Sequence, residues 1–408
     1  MNQNNTNNPI AILVINCGSS SVKFSLIQPH TGDTLLSGLA ECLLTKQASI
    51  TLKHAQEKTV LPLTSPFDHQ SALAVLVQHL HDNNLVNMIK AVGHRVVHGG
   101  EKYAQPVLIT AKVEQEINQL AALAPLHNPA NLIGIKACKT AFSQLPQVAI
   151  FDTAFHQTMP EKAYLYGIPS TLYTEHGIRR YGFHGTSHYF VAKQAASLLN
   201  KPLSECHLIS AHLGNGCSIT AIKAGESVDT SLGMTPLEGV MMGTRSGDID
   251  AGIIFHLVNK LGYNIDDVDT LLNKKSGLLG LSQLSNDCRT LEDAMLNSLD
   301  EKEQKQATLA LRVFCYRIAK SIASYSASLT QLDALIFTGG IGENSSWVRA
   351  EIIKQLGLLN FFVCDEKNTA ARFGQGGNIA KENARACLVI ATNEEWVIAE
   401  QSAKLLEL

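Results

Sequence analysis

Three turns in this sequence concentrate the residue types that gather phosphate: Gly18-Ser19-Ser20-Ser21, Gly214-Asn215-Gly216 and Gly339-Gly340-Ile341-Gly342. Gly and Ser in such turns let successive backbone N–H groups point at one place, forming a concave anion nest, and serine hydroxyls add donors. None of the three matches G-x-x-x-x-G-K-[ST] or G-x-G-x-x-G, so they suit a polyphosphate but neither a P-loop nor a dinucleotide fold. Lys23, seven residues after Asn16, could carry its ammonium to a β- or γ-phosphate. A lone lysine there is as readily a solvated residue of a strand edge.

Cations and acids stand near other glycines. Arg95 lies in GHRVVHGG and Arg245 in GTRSGD, where flanking Gly lets a guanidinium approach a ligand closely, although a single Arg is by default a surface ion pair. Asp152 follows the apolar run VAIF, at the carboxyl end of an expected strand, where ligands of α/β sheets gather. It could order Mg²⁺, order an arginine or relay a proton. His184 and His188 in YGFHGTSH are four apart, a spacing open to zinc, but no H-E-x-x-H arrangement and no third ligand accompany them. His127 in APLHNPA also reads as a core histidine. Of the acids in TNEE, Glu394 and Glu395, one is a candidate for Mg²⁺, which takes one or two protein oxygens beside phosphate and water. The other is then a favourable charge at a helix start.

The elements that must hold these residues alternate. Short apolar runs at Ile10–Ile15, Ala91–Val97, Val148–Phe151, Leu208–Ala211, Leu332–Phe337 and Leu388–Ala391 end in Gly or Asn clusters. Helical periodicity fills Ser71–His81, Val113–Leu123, His188–Leu199, Glu303–Leu329 and Asn393–Leu405. This is an α/β pattern. Ala11–Ile27 and His207–Gly225 both read as strand, Gly-containing polar turn, strand, which predicts two similar β-hairpins. Leu335–Arg349 adds a strand that runs into a Gly-rich turn and a helix start. Two hairpin turns and one strand-to-helix turn suit a nucleotide held by two related domains.

Composition narrows the class. The chain has 408 residues, 45% hydrophobic and 17% charged, with 33 Lys and Arg against 36 Asp and Glu. A core of ample size is expected, and disorder is excluded. Without a basic excess there is no broad footprint for nucleic acid, so anions must be met by a few placed cations. The nine cysteines include no Cys-x-x-Cys pair, which argues against a disulfide framework or structural zinc. Cys17 and Cys217, inside two of the turns, read as packing residues. The Asn-rich residues 1–9 resemble no signal peptide and are expected to form a disordered tail. No apolar stretch is long enough for a membrane span, and a cytoplasmic protein is expected.

The strings VINCGSSSVKF, HRVVHGGEKY, APLHNPANL, FDTAFHQTMP, RRYGFHGTSH, AHLGNGCSI, MTPLEGVMMGTRSGDID, FTGGIGENS and TNEE, in this order, closely resemble the acetate kinases, over about residues 10 to 405. The resemblance implies an α/β, duplicated actin-like (ribonuclease-H-like, ASKHA) fold of two domains with a central cleft, a homodimer, and conversion of ATP and acetate to ADP and acetyl phosphate. Residues 10–155, with the helix 394–408 packing back, would form the N-terminal domain. Residues 156–393 would form the nucleotide-binding and dimerisation domain. It implies Arg95 and Arg245 as substrate-binding and transition-state arginines, His184 as a donor to the moving phosphoryl and Asp152 as catalytic, with His127 near the substrate. Nucleotide contacts would come from Lys23, from His212, Leu213, Gly214, Asn215 and Gly216, from Asp287 and Arg289 with Cys288 between them, and from Gly339, Gly340, Ile341, Gly342, Glu343 and Asn344. Asn16 and Glu394 would hold Mg²⁺, for which Mn²⁺ can substitute. Because a carboxylate acceptor is already ionised, repulsion between anions is the obstacle, and placed cations are the answer to it. Loops spread from Asn16 to Glu394 imply that binding draws the two lobes together.

Propionate kinases share nearly the same strings, so acyl-chain choice needs its own argument. Two residues beyond Arg95 on one strand, Val97 is expected on the arginine's side. Leu126, Phe183 and Pro236 would complete a methyl pocket. Val97 would crowd a propionyl chain, which favours acetate.

Overall fold

The computed structural model describes residues 10–408 except Gln56 and Leu126. The expected tail at residues 1–9 and the pocket position Leu126 therefore lie outside the described residues. The chain forms two compact units, one of residues up to Ala154 together with Asn393–Leu408, the other Phe155–Thr392.

The first unit is built on eight strands: β1 (Ala11–Cys17), β2 (Val22–Ile27), β3 (Thr34–Glu41), β4 (Ser49–His54), β5 (Glu57–Pro62), β6 (Ile89–Val96), β7 (Val107–Leu108) and β8 (Gln147–Phe151). Their spatial order is β5-β4-β3-β2-β1-β6-β8-β7. The first five strands form an antiparallel meander, β1, β6 and β8 run parallel, and β7 returns antiparallel on β8. Strand alternation splits β1 between two cores. Leu13, Ile15 and Cys17 face a layer with Leu73, Leu76 and Leu80 of the helix His69–Asp82 and Ala137 and Cys138 of the helix Asn128–Ala141. Ile12 and Val14 face Ile398, Ala399 and Ala403 of the helix Glu394–Leu405. Each buried Leu, Ile or Val among these contributes roughly 1.5–3 kcal/mol of transfer free energy. Gly93 on β6 is required by this packing, since a Cβ there would meet Ser402 Oγ at 2.7 Å and Ile398 Cγ2 at 2.8 Å. The last helix can therefore lie directly on the sheet, and its first residue is Glu394.

The second unit carries β9 (His207–Leu213), β10 (Cys217–Lys223), β11 (Glu226–Thr230), β12 (Ala334–Thr338), β13 (Gly377–Asn378) and β14 (Ala386–Val389), in the order β11-β10-β9-β12-β14-β13. Again three antiparallel strands precede two parallel ones, and a short strand returns antiparallel at the edge. The order β3-β2-β1-β6-β8-β7 is thus repeated strand for strand, and the first unit adds β4 and β5. The helix Glu301–Tyr325, capped by Asp300 on the Lys302 N–H, buries Ala307, Ala310, Leu311, Phe314, Ile318 and Ile322 at helical spacing, as a one-sided apolar stripe dictates.

Both expected hairpins form, β1 with β2 and β9 with β10. The strand-to-helix reading of Leu335–Arg349 is realised as β12 followed by the helices Gly339–Asn344 and Ser346–Ile353. The helical run expected at Glu303–Leu329 ends earlier, at Tyr325, and a 3₁₀ turn follows. Val97 falls one residue past the end of β6, so no ladder carries the two-residue alternation to it. It is buried, and its N–H is bound by Asn131 Oδ1 at 3.0 Å.

Candidate functional site

In the first unit the polar residues gather where β1, β6 and β8 end. Arg95 is 20% exposed and Asp152 grips it with both oxygens, Nε to Oδ1 at 3.2 Å and Nη2 to Oδ2 at 2.5 Å. Asn16 Oδ1 accepts from Nη1 at 3.3 Å. This bidentate fork fixes the plane of the guanidinium, and of the three roles left open for Asp152 the geometry realises the ordering of an arginine. Burial disfavours the charged form of Arg95, and the Asp152 and Glu394 carboxylates outweigh it, holding its pKa above the ordinary arginine value.

The acids at the helix start separate by partner. Asn393 caps the helix on the Trp396 N–H, and the indole N–H of Trp396 donates to Pro29 O at 2.9 Å, which pins the first turn. Glu395 pairs with Lys23, whose side chain is 54% exposed and sits opposite Asn16 in the β1–β2 register. Lys23 therefore has a carboxylate partner within its own unit. Glu394 lies 3.9 Å from Arg95 Nε. Its carboxyl is pushed up to about 7, first by burial, with Arg95 opposing and Asp152 and Glu395 reinforcing the rise. Hard oxygen donors with more negative charge than Arg95 and Lys23 relieve fit a small divalent cation.

In the second unit four segments converge. His184 precedes the helix Gly185–Leu198 in a left-handed conformation, φ 56° and ψ 23°, which costs a non-glycine residue about 1 kcal/mol or more and marks a position held by its surroundings. Its ring stacks on His212 with centroids 4.3 Å apart. A Cβ at Gly216 would meet His184 Nε2 at 3.4 Å and both terminal nitrogens of Arg245 at 3.7 Å. The expected histidine, arginine and phosphate turn thus share one spot. Arg245 Nη1 donates to Pro236 O at 2.7 Å and touches Met242 Sδ at 3.4 Å. No carboxylate pairs with Arg245 among the described residues, and burial lowers its pKa.

The turn after β9 is anchored on its neighbours. The Gly243 N–H donates to Asn215 O at 3.1 Å, and Asn286 Nδ2 donates to Asn215 Oδ1 at 3.0 Å. Gly339 has φ +76°, and a Cβ there would meet Leu213 O at 2.7 Å, so the Gly339–Asn344 segment packs directly on Leu213. Gly340 has open space where a Cβ would stand. Asp287 caps the helix Cys288–Asn297 and pairs with exposed Arg289, while Cys288 is buried between them. Glu343 turns inward onto backbone N–H groups of Gly339 and Thr392, and Asn344 Nδ2 donates to Gly340 O. Phe183 is buried next to His184, and His127 precedes the helix Asn128–Ala141.

Two histidines are structural. His188 Nδ1 and Nε2 are taken by Ser210 and Ser218 hydroxyls at 3.0 and 2.9 Å, which removes it as a zinc ligand. His156, never singled out from sequence, is held by Ser227 and Phe183 O. Burial drives His156 down to about 4 and His188 well below its ordinary value. The Cys17 and Cys217 thiols are both buried and pushed up to about 12. Sequence reasoning also missed Asn286, and it left Asn131, Ser187 and Thr392 without a role although they stand inside APLHNPANL, RRYGFHGTSH and TNEE.

An eight-stranded and a six-stranded sheet that share one six-strand order, with Gly-rich turns at the strand ends, define a duplicated α/β fold of the ribonuclease-H-like, ASKHA class. Residues 11–400 match the sequence model of the acetokinase family, and the chain belongs to that family. Proteins named acetate kinase from Shewanella putrefaciens and Shewanella woodyi are each 54% identical to it, covering 97% of this chain and 98% and 99% of theirs. The crystal structure of a propionate kinase from Francisella tularensis superposes with a TM-score of 0.90 at 46% identity, covering 96% of this chain and 98% of the other. That of Porphyromonas gingivalis acetate kinase gives 0.91 at 41% identity, covering 97% and 100%.

Proposed function

We propose that this kinase transfers the γ-phosphoryl group of ATP reversibly to acetate, giving acetyl phosphate and ADP, by direct in-line attack of the carboxylate. The observation that carries this reading is Arg245, a largely desolvated guanidinium without a carboxylate partner among the described residues, at the same glycine turn as His184. Such a cation is poised for an anion, and phosphoryl transfer to a carboxylate needs fixed positive charge where the equatorial oxygens gather it. Arg95, held flat by Asp152, binds the acceptor carboxylate. Val97, Phe183 and Pro236 are assigned to its methyl group. His184 donates to the moving phosphoryl, and Asp152 acts through Arg95. The turns at His212–Gly216 and Gly339–Asn344, with Asp287 and Arg289, are assigned to the nucleotide.

The donor set of Asn16 and Glu394 fits Mg²⁺, with Glu394 favoured because Glu395 already holds Lys23. Bound with the nucleotide, Mg²⁺ supplies charge neutralisation at the phosphate oxygens. The chain is assigned to the cytoplasm, in keeping with nine free cysteines. It is also assigned to a homodimer, because the helix Gly252–Leu261 buries none of its residues although it carries Ile253, Phe255, Val258 and Leu261. Contiguous exposed apolar surface of this kind marks association.

A hydroxylamine trap tests the reaction. Acetyl hydroxamate should accumulate with ATP, Mg²⁺ and acetate, and phosphate release indifferent to carboxylate would instead indicate an actin-like ATPase.

A further inference from the structure

Thr392 is the last residue of the second unit and stands two residues before Glu394. Its backbone N–H donates to Glu343 Oε1 at 3.1 Å, and the same oxygen accepts the Gly339 N–H at 2.9 Å and approaches Thr338 Oγ1 at 3.4 Å. Its hydroxyl bonds Ser187 Oγ at 2.8 Å, and Ser187 Oγ bonds His212 Nδ1 at 2.9 Å. One unbroken chain of hydrogen bonds therefore runs from the Gly339 turn through Glu343, Thr392 and Ser187 to His212. The segments it joins leave the carboxyl ends of β12, β14 and β9, three neighbouring parallel strands.

We infer that Thr392 is a positioning residue that sets both phosphate turns of the second unit. It rests on the kinase reading for the roles of those turns. A carboxylate accepting two backbone N–H groups holds its geometry tightly, and Ser187 passes orientation on to the imidazole, whose tautomer depends on what its Nδ1 bonds. Losing the Thr392 hydroxyl leaves the fold's packing intact and loosens the register between the His212 turn and the Gly339 turn. The nucleotide then binds to a less organised set of donors.

The test compares Thr392→Val, which keeps the branched shape and the backbone N–H, with Thr392→Ser, which keeps the hydroxyl, and with Ser187→Ala. The readouts are MgADP binding by calorimetry, KM for MgATP against kcat in the hydroxamate assay, and the thermal midpoint. Thr392→Val should weaken MgADP about five- to tenfold, the worth of one hydrogen bond, and raise KM more than it lowers kcat. Its midpoint should stay within about 2 °C of wild type. Thr392→Ser should restore binding, and the double variant Thr392→Val with Ser187→Ala should be no weaker than either single variant, as members of one chain behave. Wild-type MgADP affinity in Thr392→Val, or a serine variant as weak as the valine one, overturns the inference. A wild-type enzyme that makes no hydroxamate while Thr392→Val still weakens MgADP sinks the kinase reading and leaves this inference standing.

Discussion

At the scale of residues, Arg245 and Arg95 are opposite solutions to holding a cation in a protein. Arg95 is neutralised and oriented by Asp152, so it suits a ligand already charged in the ground state. Arg245 leans on a carbonyl oxygen and a thioether, which leaves its charge for the transition-state role proposed above. Arg245→Ala should therefore lower kcat on the order of 10²–10³-fold and leave ATP affinity nearly unchanged, and a folded variant with near-wild-type kcat removes it from the reaction. The acyl chain is decided by smaller forces. Val97→Ala should raise kcat/KM for propionate relative to acetate, within the range of about 1–3 kcal/mol that one methylene supplies. A ratio that does not move takes Val97 out of the pocket.

Among the elements, buried imidazoles set a pH limit. His94 and His98, like His156, are driven down to about 4 by burial, and His188 is driven well below its ordinary 6.5. A depressed histidine leaves the unfolded chain holding more protons. The stability it contributes is complete above about pH 6.5 and is lost as pH falls toward 4, on the order of 3 kcal/mol for His156. Urea unfolding between pH 7.5 and 5 should show falling stability, and His156→Gln should reduce the slope by about one proton; an unchanged slope means that His156 titrates normally. The strands that carry the site were legible because β1, β6, β8, β9 and β12 are buried nearly end to end, which writes continuous apolar runs into the sequence. Strand β5 was not legible, since all six of its residues are exposed and no alternation marks it. Nor was Thr392, whose hydroxyl meets a serine 205 positions away, a distance at which spacing carries no signal.

Taken as a whole, the molecule repeats one strand order in two units, and it is the second that bears an unburied apolar helix. Phe255, 66% exposed, is large enough to dominate a self-complementary contact. Light scattering on the wild type should give a dimer mass, and Phe255→Asp with Ile253→Asp should give a monomer with its thermal unfolding still cooperative. A wild-type monomer, or a variant dimer, places the interface elsewhere. The burial of Cys17 at the end of β1 and Cys217 at the start of β10, with thiols lifted to about 12, has a chemical corollary. At neutral pH almost no thiolate exists at either position, so alkylating reagents meet exposed Cys42 first, in the turn after β3. Early modification of the native protein is thus a surface event, and a catalyst that survives it has revealed nothing about the turns beside the two buried thiols.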